Sequence, residues 1–275
     1  MKKNIPLVLV LLSFFKLHAQ NWQWSQNIGS ANDDSFYLIT KDLNDNIYVL
    51  GRVNGSALTF IQNDTINTDG DVNFILFKYD KFGTILWYKN FKEYSGFQNS
   101  GGIGEIVYDP YSDAIILSGT TTCCIYFDST VVCSNNSNGD ALVCKISSSG
   151  TLLWMKTFTG FGDDYVVAAD VDSIGNIYLG GSFSAGAYYD NDTISDGGNL
   201  IKLDPDGNML WSKQVINNFD ISIGSAITIA SLKLKNNRIY ISGWQNTNVF
   251  NIDTIAFSNP NISGTIVASF DMQEM

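Results

Sequence analysis

The 275-residue chain carries a single histidine, His18, two arginines, Arg52 and Arg238, and only three glutamates, Glu93, Glu105 and Glu274. His18 lies in a leader that is expected to be removed, so the mature chain is expected to have no imidazole. A Ser-His-Asp or Cys-His nucleophile system would lack its base, and the common zinc and iron sites would lack their nitrogen ligands. Scarce arginine and a formal charge of −11 exclude nucleic acid, whose phosphates need clustered cations, and disfavour an anionic membrane surface. Proline is limited to 4 residues. No GxxxxGK loop, GxSxG elbow or GxGxxG turn after a strand occurs, which removes the common nucleotide-binding and hydrolase signatures. No apolar run reaches the roughly 20 residues that a spanning helix needs. What is present is 45% hydrophobic residues with 16% charged and 24 glycines, a globular composition.

The start of the chain reads as a secretory signal peptide, residues 1–20. Met1-Lys2-Lys3-Asn4 is basic, Ile5 to Phe15 is an apolar stretch too short to span a bilayer comfortably, and Leu17-His18-Ala19-Gln20 offers a small residue for cleavage. The mature chain, 21–275, then carries 13 basic against 27 acidic residues, a net charge of −14. No cysteine lies near the cleavage position, so a lipid anchor has no attachment point. The expected location is secreted or on the outer cell surface, or else the periplasm, with no membrane insertion after the leader is removed.

Internal repetition is the strongest signal. Ile47-Tyr48-Val49-Leu50-Gly51, Ile115-Ile116-Leu117-Ser118-Gly119, Ile177-Tyr178-Leu179-Gly180-Gly181 and Ile239-Tyr240-Ile241-Ser242-Gly243 are variants of one string. A second signature runs from Lys78 through Gly83 to Trp87, from Lys145 through Gly150 to Trp154, and from Lys202 through Gly207 to Trp211, with identical spacing each time. Such a fixed period marks units that bury their faces against one another. Alternation and β-branched or aromatic enrichment predict strands: A over Phe36 to Asp42, B over Asn46 to Val53 after a tight turn, C over Asn73 to Asp80, and D over Thr84 to Phe91. One such unit matches a four-stranded blade, so the expected fold is an all-β propeller of four repeat units, 30–91, 92–158, 159–215 and 216–275. Trp24 sits where Trp87, Trp154 and Trp211 sit, so 22–29 reads as a lone strand D. The last unit has A (Ala226 to Leu234), B (Arg238 to Trp244) and C (Thr265 to Asp271) without D. Pairing 22–29 with 265–271 would close the ring and remove two exposed edges. A longer protein cut at this point would show the same pattern.

The pattern W…IG…DD…D…NIYVLG…FKYDKFGTILW resembles the secreted β-propeller repeat proteins of Bacteroidetes that are associated with type IX secretion, and the leader ending in Ala19-Gln20 is similar to theirs. The resemblance covers essentially all of 22–275. It implies export more than any activity, because that family is mostly without assigned function. Many members end in a sorting domain that nothing in this sequence resembles, which leaves a fragment of a longer protein or another export path. One Asp-Ser/Thr-containing triplet per unit, at Asp64-Thr65-Ile66, Asp128-Ser129-Thr130, Asp192-Thr193-Ile194 and Asp253-Thr254-Ile255, resembles the sites that Bacteroidetes O-glycosylate. Turn and strand chemistry explains the triplets equally well.

In an A-B-C-D meander the D-to-A and B-to-C connections share one face of the disc, and the A-to-B and C-to-D turns share the other. The first face carries the longer segments, including a hairpin expected in each B-to-C excursion around Thr65, Thr130, Thr193 and Thr254, so binding is placed there. Turn chemistry alone accounts for the second face. Residues that break the repeat are the candidates. Asp33-Asp34 and Asp163-Asp164 could hold calcium through oxygen ligands, although loop acids accepting backbone hydrogen bonds explain them more simply. No other cofactor is expected. Trp244 follows Gly243 where other units place Arg52, Thr120 and Ser182. It could stack on a sugar or on a partner side chain, with burial between blades the plainer reading. Gly51, Gly119, Gly181, Gly243, Trp24, Trp87, Trp154 and Trp211 are read as structural.

Cys123, Cys124, Cys133 and Cys144 all fall in the second unit and suggest a local disulfide, with Cys133 joined to Cys123 or Cys124 across the hairpin. Three functions fit: an exported non-catalytic module binding a protein or a glycan, a glycoside-cleaving enzyme that uses aspartates, or a structural segment of a larger surface protein. Two arginines cannot form the three-arginine clamp of sialidases, and the Gly-to-Trp spacing departs from the sialidase aspartate box. The catalytic alternative therefore needs another carboxylate pair.

Overall fold

Every regular element among the described residues is a β-strand. The computed structural model describes residues 23–29, 33–53, 58–61, 64–67, 73–94, 102–134, 138–218, 227–245, 249–252, 255–258 and 264–272. The leader read over 1–20 lies outside them. Unit 1 contains β1 (Ser35–Lys41), β2 (Ile47–Val53), β3 (Leu58–Ile61), β4 (Asp64–Asn67), β5 (Asn73–Tyr79) and β6 (Ile85–Tyr94). Unit 2 contains β7 (Gly102–Asp109), β8 (Ala114–Thr121), β9 (Cys124–Phe127), β10 (Thr130–Cys133), β11 (Asp140–Ser147) and β12 (Leu152–Phe158). Unit 3 follows with β13 (Tyr165–Val171), β14 (Ile177–Phe183), β15 (Tyr188–Tyr189), β16 (Asp192–Thr193), β17 (Gly197–Leu203) and β18 (Met209–Asn218). Unit 4 has β19 (Ile227–Lys235), β20 (Arg238–Gln245), β21 (Val249–Ile252), β22 (Ile255–Ser258) and β23 (Gly264–Asp271).

The expected meander is present. Units 1 to 3 pair as β1-β2-β5-β6, β7-β8-β11-β12 and β13-β14-β17-β18, and unit 4 as β19-β20-β23. Each first strand bulges opposite the repeat glycine, at Phe36/Leu38, Ile103/Glu105, Val166/Ala168 and Ile229/Ser231. The bulge drives backbone against that position. A Cβ on Gly119, Gly181 or Gly243 would stand 2.1 Å from the carbonyl oxygen of Gly102, Tyr165 or Thr228, which is why no larger residue occurs there.

Each B-to-C excursion is a hairpin, as expected, but it does not extend its own unit. Strand β9 pairs with β6 of unit 1 and β21 with β18 of unit 3, while Tyr188 bridges Thr159, the residue that follows β12 of unit 2. The hairpins thus cover outer edges of preceding units, and Phe127 packs on Phe91 at 4.5 Å between ring centroids.

Successive units bury alternate residues of the same strands, as period-two geometry requires. In the face turned towards the following unit, the forward face, Tyr48, Leu50, Phe74 and Leu76 of unit 1 meet Ile106, Ile115, Leu117 and Cys144 on the rear face of unit 2. Val107, Ile116 and Val143 meet Ala169, Ile177 and Leu179 in the next junction, and Tyr178 and Leu200 meet Leu232, Ile239 and Ile241 in the third.

A polar clamp runs through the first two of these junctions. The Trp87 indole donates to the Ser148 carbonyl at 3.0 Å and Trp154 to the Pro205 carbonyl at 3.2 Å, each in the C-to-D turn of the following unit. Lys78 and Lys145 donate to the same two carbonyls, both at 3.0 Å. Their charges are met by Asp42 at 3.5 Å and Asp109 at 3.0 Å, so each buried ammonium has both a counter-ion and a neutral acceptor. Gly150 and Gly207, at φ +85° and +81°, lie against the Trp87 and Trp154 rings. Side-chain oxygens of Asp42, Asp80, Asp172 and Asp204 hold the turns by accepting the backbone N–H groups two and four residues on. Trp211 packs edge-on against Tyr178 as Trp87 does against Tyr48.

The ladder expected between 22–29 and 265–271 is not among the described pairings. Residues 23–28 carry no strand, Trp22 lies outside the described residues, and β23 pairs with β20. Trp24 nonetheless makes the clamp on unit 1: its indole donates to the Lys81 carbonyl at 3.1 Å and its ring lies against Gly83.

Replacing Gly207 by Ala forces a left-handed side chain onto the Trp154 ring and should cost at least about 1 kcal/mol. Trp154→Phe keeps a ring but loses the donor and should cost about 1–2 kcal/mol. Urea midpoints measure both, and unchanged midpoints would show that the clamp adds nothing.

Candidate functional site

Chain direction brings the D-to-A loop 159–164, the end of the unit 2 excursion at Gly139 and the start of the unit 3 excursion at Ser184 to one place. Backbone and side-chain bonds lace them together. Asp164 N–H donates to the Gly139 carbonyl at 2.6 Å, Gly139 N–H to Asp163 Oδ1 at 2.8 Å, Ser184 N–H to Asp164 Oδ1 at 2.6 Å, and Gly162 N–H to Ser184 Oγ at 3.0 Å. Thr120 Oγ1 adds a bond to the Asp164 carbonyl at 3.3 Å. The two aspartates therefore act as acceptors for backbone donors. Asp164 is fully buried rather than solvated, and its Oδ2 has no hydrogen-bond partner. Burial, helped by the charges of Asp140 and Asp163 and opposed by the Ser184 bonds, pushes its carboxyl up to about 6. Among the described residues no group of three or more His, Cys, Asp or Glu is set to hold a metal ion.

Around this node stand aromatic side chains. Phe161 is 82% exposed. Its carbonyl accepts Asn138 Nδ2 at 2.7 Å, and its ring lies over Gly186, where a Cβ would stand 2.6 Å from the ring. Tyr165 is partly exposed beside Asp163, its hydroxyl pKa raised by burial first and by the Asp163 charge second. Tyr188 is exposed on β15, whose backbone exchanges two hydrogen bonds with Thr159. Phe161 escaped sequence reasoning because phenylalanine also occurs in other D-to-A stretches, as Gly96-Phe97 and as Phe219, so that it did not stand out as Trp244 did.

The other candidates fall elsewhere. Asp33 is exposed and Asp34 half-buried at the entry of β1, and Arg52 is half-buried near the end of β2 with its Nε buried and unpartnered. Trp244 is 46% exposed on the forward face of unit 4 instead of packed between units. The six candidates thus belong to three separate places. Thr130 and Thr193 of the triplets are exposed, and Thr254 lies outside the described residues. The second face is not bare, since Leu43, Phe82, Tyr111 and Ile174 expose their side chains from its turns.

Cys124 and Cys133 form the disulfide, facing each other across β9 and β10. Cys144 is buried in the unit 1 and unit 2 junction, and burial pushes its thiol up to about 12, which makes it inert. Cys123 lies outside the disulfide.

No protein-family model matches the chain, and no curated protein matches it. Among solved structures, a crystal structure of a protein of unknown function from Bacteroides caccae is similar with a TM-score of 0.33 at 9% identity, over 86% of this chain and 73% of that one.

Asp164 binds its proton more tightly folded than unfolded, since its pKa rises from an ordinary 3.8 to about 6. Its full stability is present below about pH 4 and is lost as pH rises through 6. Asp164→Asn should therefore match the parent at pH 4 and exceed it at pH 7.5 by on the order of 1–2 kcal/mol in urea unfolding. A variant less stable at pH 7.5 would contradict the assignment. Removing the disulfide with Cys124→Ser and Cys133→Ser together should cost about 2–3 kcal/mol, measured the same way, with an equal midpoint as the contrary result.

Proposed function

We propose that the four units are blades of a β-propeller and that the chain is an exported, non-catalytic module that binds a glycan or a protein on the face carrying the D-to-A and B-to-C connections. The first strands of successive units lie side by side, β1 by β7, β7 by β13 and β13 by β19, as blades around a common axis would. A disulfide fits an oxidising compartment. The composition of the leader supports export in the same sense.

The observation that carries the binding reading is Phe161, a large aromatic held out to solvent by a node whose backbone is bonded from three segments. A rigid scaffold with an aromatic anchor and neighbouring hydroxyls and carboxylates suits recognition of a sugar face, since the ring supplies flat apolar contact and Tyr165 and Asp163 supply polar groups. Asp164 is poorly suited to glycoside cleavage because it is enclosed by backbone donors and has no route to a scissile bond. The catalytic alternative would need two accessible carboxylates about 5–9.5 Å apart.

The test combines a glycan array with turnover assays on the same glycans and a pull-down of surface proteins. Phe161→Ala should weaken binding at least about tenfold without changing the melting temperature. Hydrolysis of any glycan on the array, or binding that survives Phe161→Ala unchanged, would contradict the proposal.

A further inference from the structure

The loop tip that carries Phe161 is anionic as well as aromatic. Asp163 is exposed two residues on from the ring, and among the described residues no lysine or arginine lies within ion-pair distance of it. Three exposed acids elsewhere are compensated: Asp45, Asp128 and Asp190 meet Lys41, Lys89 and Lys156 at 2.5, 3.0 and 2.9 Å. Lys156, on the strand that leads into the loop, is held by Asp190 and by the Gly207 carbonyl at 3.0 Å. Behind Asp163 the negative charge deepens. Asp140 and Asp164 are fully buried, and the charges acting on the Tyr165 hydroxyl are those of Asp163 and Asp164. Asp164 Oδ2 lies against Gly160, the residue before Phe161, where a Cβ would stand 2.7 Å from it, and it accepts no hydrogen bond. A buried carboxylate oxygen without a donor favours a cation placed close outside it.

The ring suits a flat cation. One face of Phe161 is held against Gly186, whose missing side chain leaves room for it, and with 82% of the residue exposed the other face is open. Asn138 and Gly139, consecutive residues, bond the Phe161 carbonyl at 2.7 Å and Asp163 Oδ1 at 2.8 Å, and Gly162 N–H donates to Ser184 Oγ at 3.0 Å. Ring and carboxylate are therefore fixed two residues apart on a tip that is pinned at each of its residues. A planar guanidinium can stack on the one and pair with the other, which a compact ammonium does less well.

We infer that the partner is a protein with a basic segment, and that an arginine of that segment stacks on the open face of Phe161 and pairs with Asp163. The inference rests on the binding reading above and narrows its ligand from a glycan or a protein to a protein. Charge decides between the two. A neutral sugar would cover the ring and leave Asp163 and the buried acids behind it unmet, whereas an arginine meets ring and charge at once. The formal charge of −11 on the chain acts in the same sense at long range, steering a basic partner towards the molecule and repelling an acidic one.

Fluorescence anisotropy with end-labelled hexa-arginine tests the inference. Hexa-citrulline, which keeps the shape and loses the charge, and a chitosan hexamer, a glycan with amines, are the comparisons. Hexa-arginine should bind and the other two should not, and its affinity should fall as salt is raised. Phe161→Leu keeps apolar bulk but loses the ring, and should weaken binding by about two- to thirtyfold. Asp163→Asn keeps an acceptor for the Gly139 N–H but loses the charge, and should weaken it by about two- to fivefold. Both variants should keep the parent melting temperature, and Asp206→Asn, in a turn of the second face, should bind as the parent does. Absent hexa-arginine binding, equal binding of hexa-citrulline, or losses in Phe161→Leu and Asp163→Asn no larger than in Asp206→Asn would overturn the inference. Phe161-dependent binding of the chitosan hexamer or of an array glycan, without binding of hexa-arginine, overturns the arginine contact and leaves the binding module standing. Hydrolysis of a glycan by a chain that binds hexa-arginine through Phe161 and Asp163 overturns the non-catalytic reading alone.

Discussion

The architecture depends on one contact, the indole N–H of a fourth-strand tryptophan donated to a turn carbonyl of the next unit. It demands several things at once. The turn must offer an outward carbonyl, which the Asx bonds of Asp80 and Asp204 help to present. The turn must also have no side chain under the ring, which sets glycine at 83, 150 and 207 in a left-handed conformation. A lysine beside the tryptophan brings a second donor to the same oxygen at Ser148 and Pro205. The long-range repeat signature in the sequence is thus the imprint of a contact between units, not of any one turn.

Around that clamp the sheets contribute apolar faces on both sides, and the excursions contribute strand edges. Because β9 and β21 leave their own units to pair with the preceding ones, units 1 and 3 are each stabilised by their successor through backbone hydrogen bonds and side-chain packing together. The disulfide within β9 and β10 stiffens one such arm. The D-to-A loop before unit 3 is tied in the same way, and there it holds Phe161 out to solvent.

Much of this was legible in the residues. The four strings ending in Gly51, Gly119, Gly181 and Gly243 and the three Lys-to-Trp signatures located the strands to within a few residues, because bulges, turns and close approaches restrict residue type locally. The hairpin and the disulfide followed from the same pattern, although only the register of β9 with β10 chose Cys124 over Cys123 as the partner of Cys133. What escaped depends on contacts between units. The hairpins' choice of the preceding sheet, the burial of Asp164 and the exposure of Trp244 are decided by neighbours far along the chain, and no local spacing records them. Phe161 did not stand out beside Phe97 and Phe219 of other D-to-A stretches and carried no chemistry until the loop around it was in place.

The central claim is that the indole donors of Trp87 and Trp154 lock units 1 and 2 each to the next. Hydrogen exchange of the Trp87 and Trp154 indole N–H groups, followed by NMR, reads it directly. The account predicts exchange slowed to the rate of the protected strand amides and released only with unfolding of the sheets. Exchange at the rate of a free indole while β5 and β11 amides stay protected would contradict it.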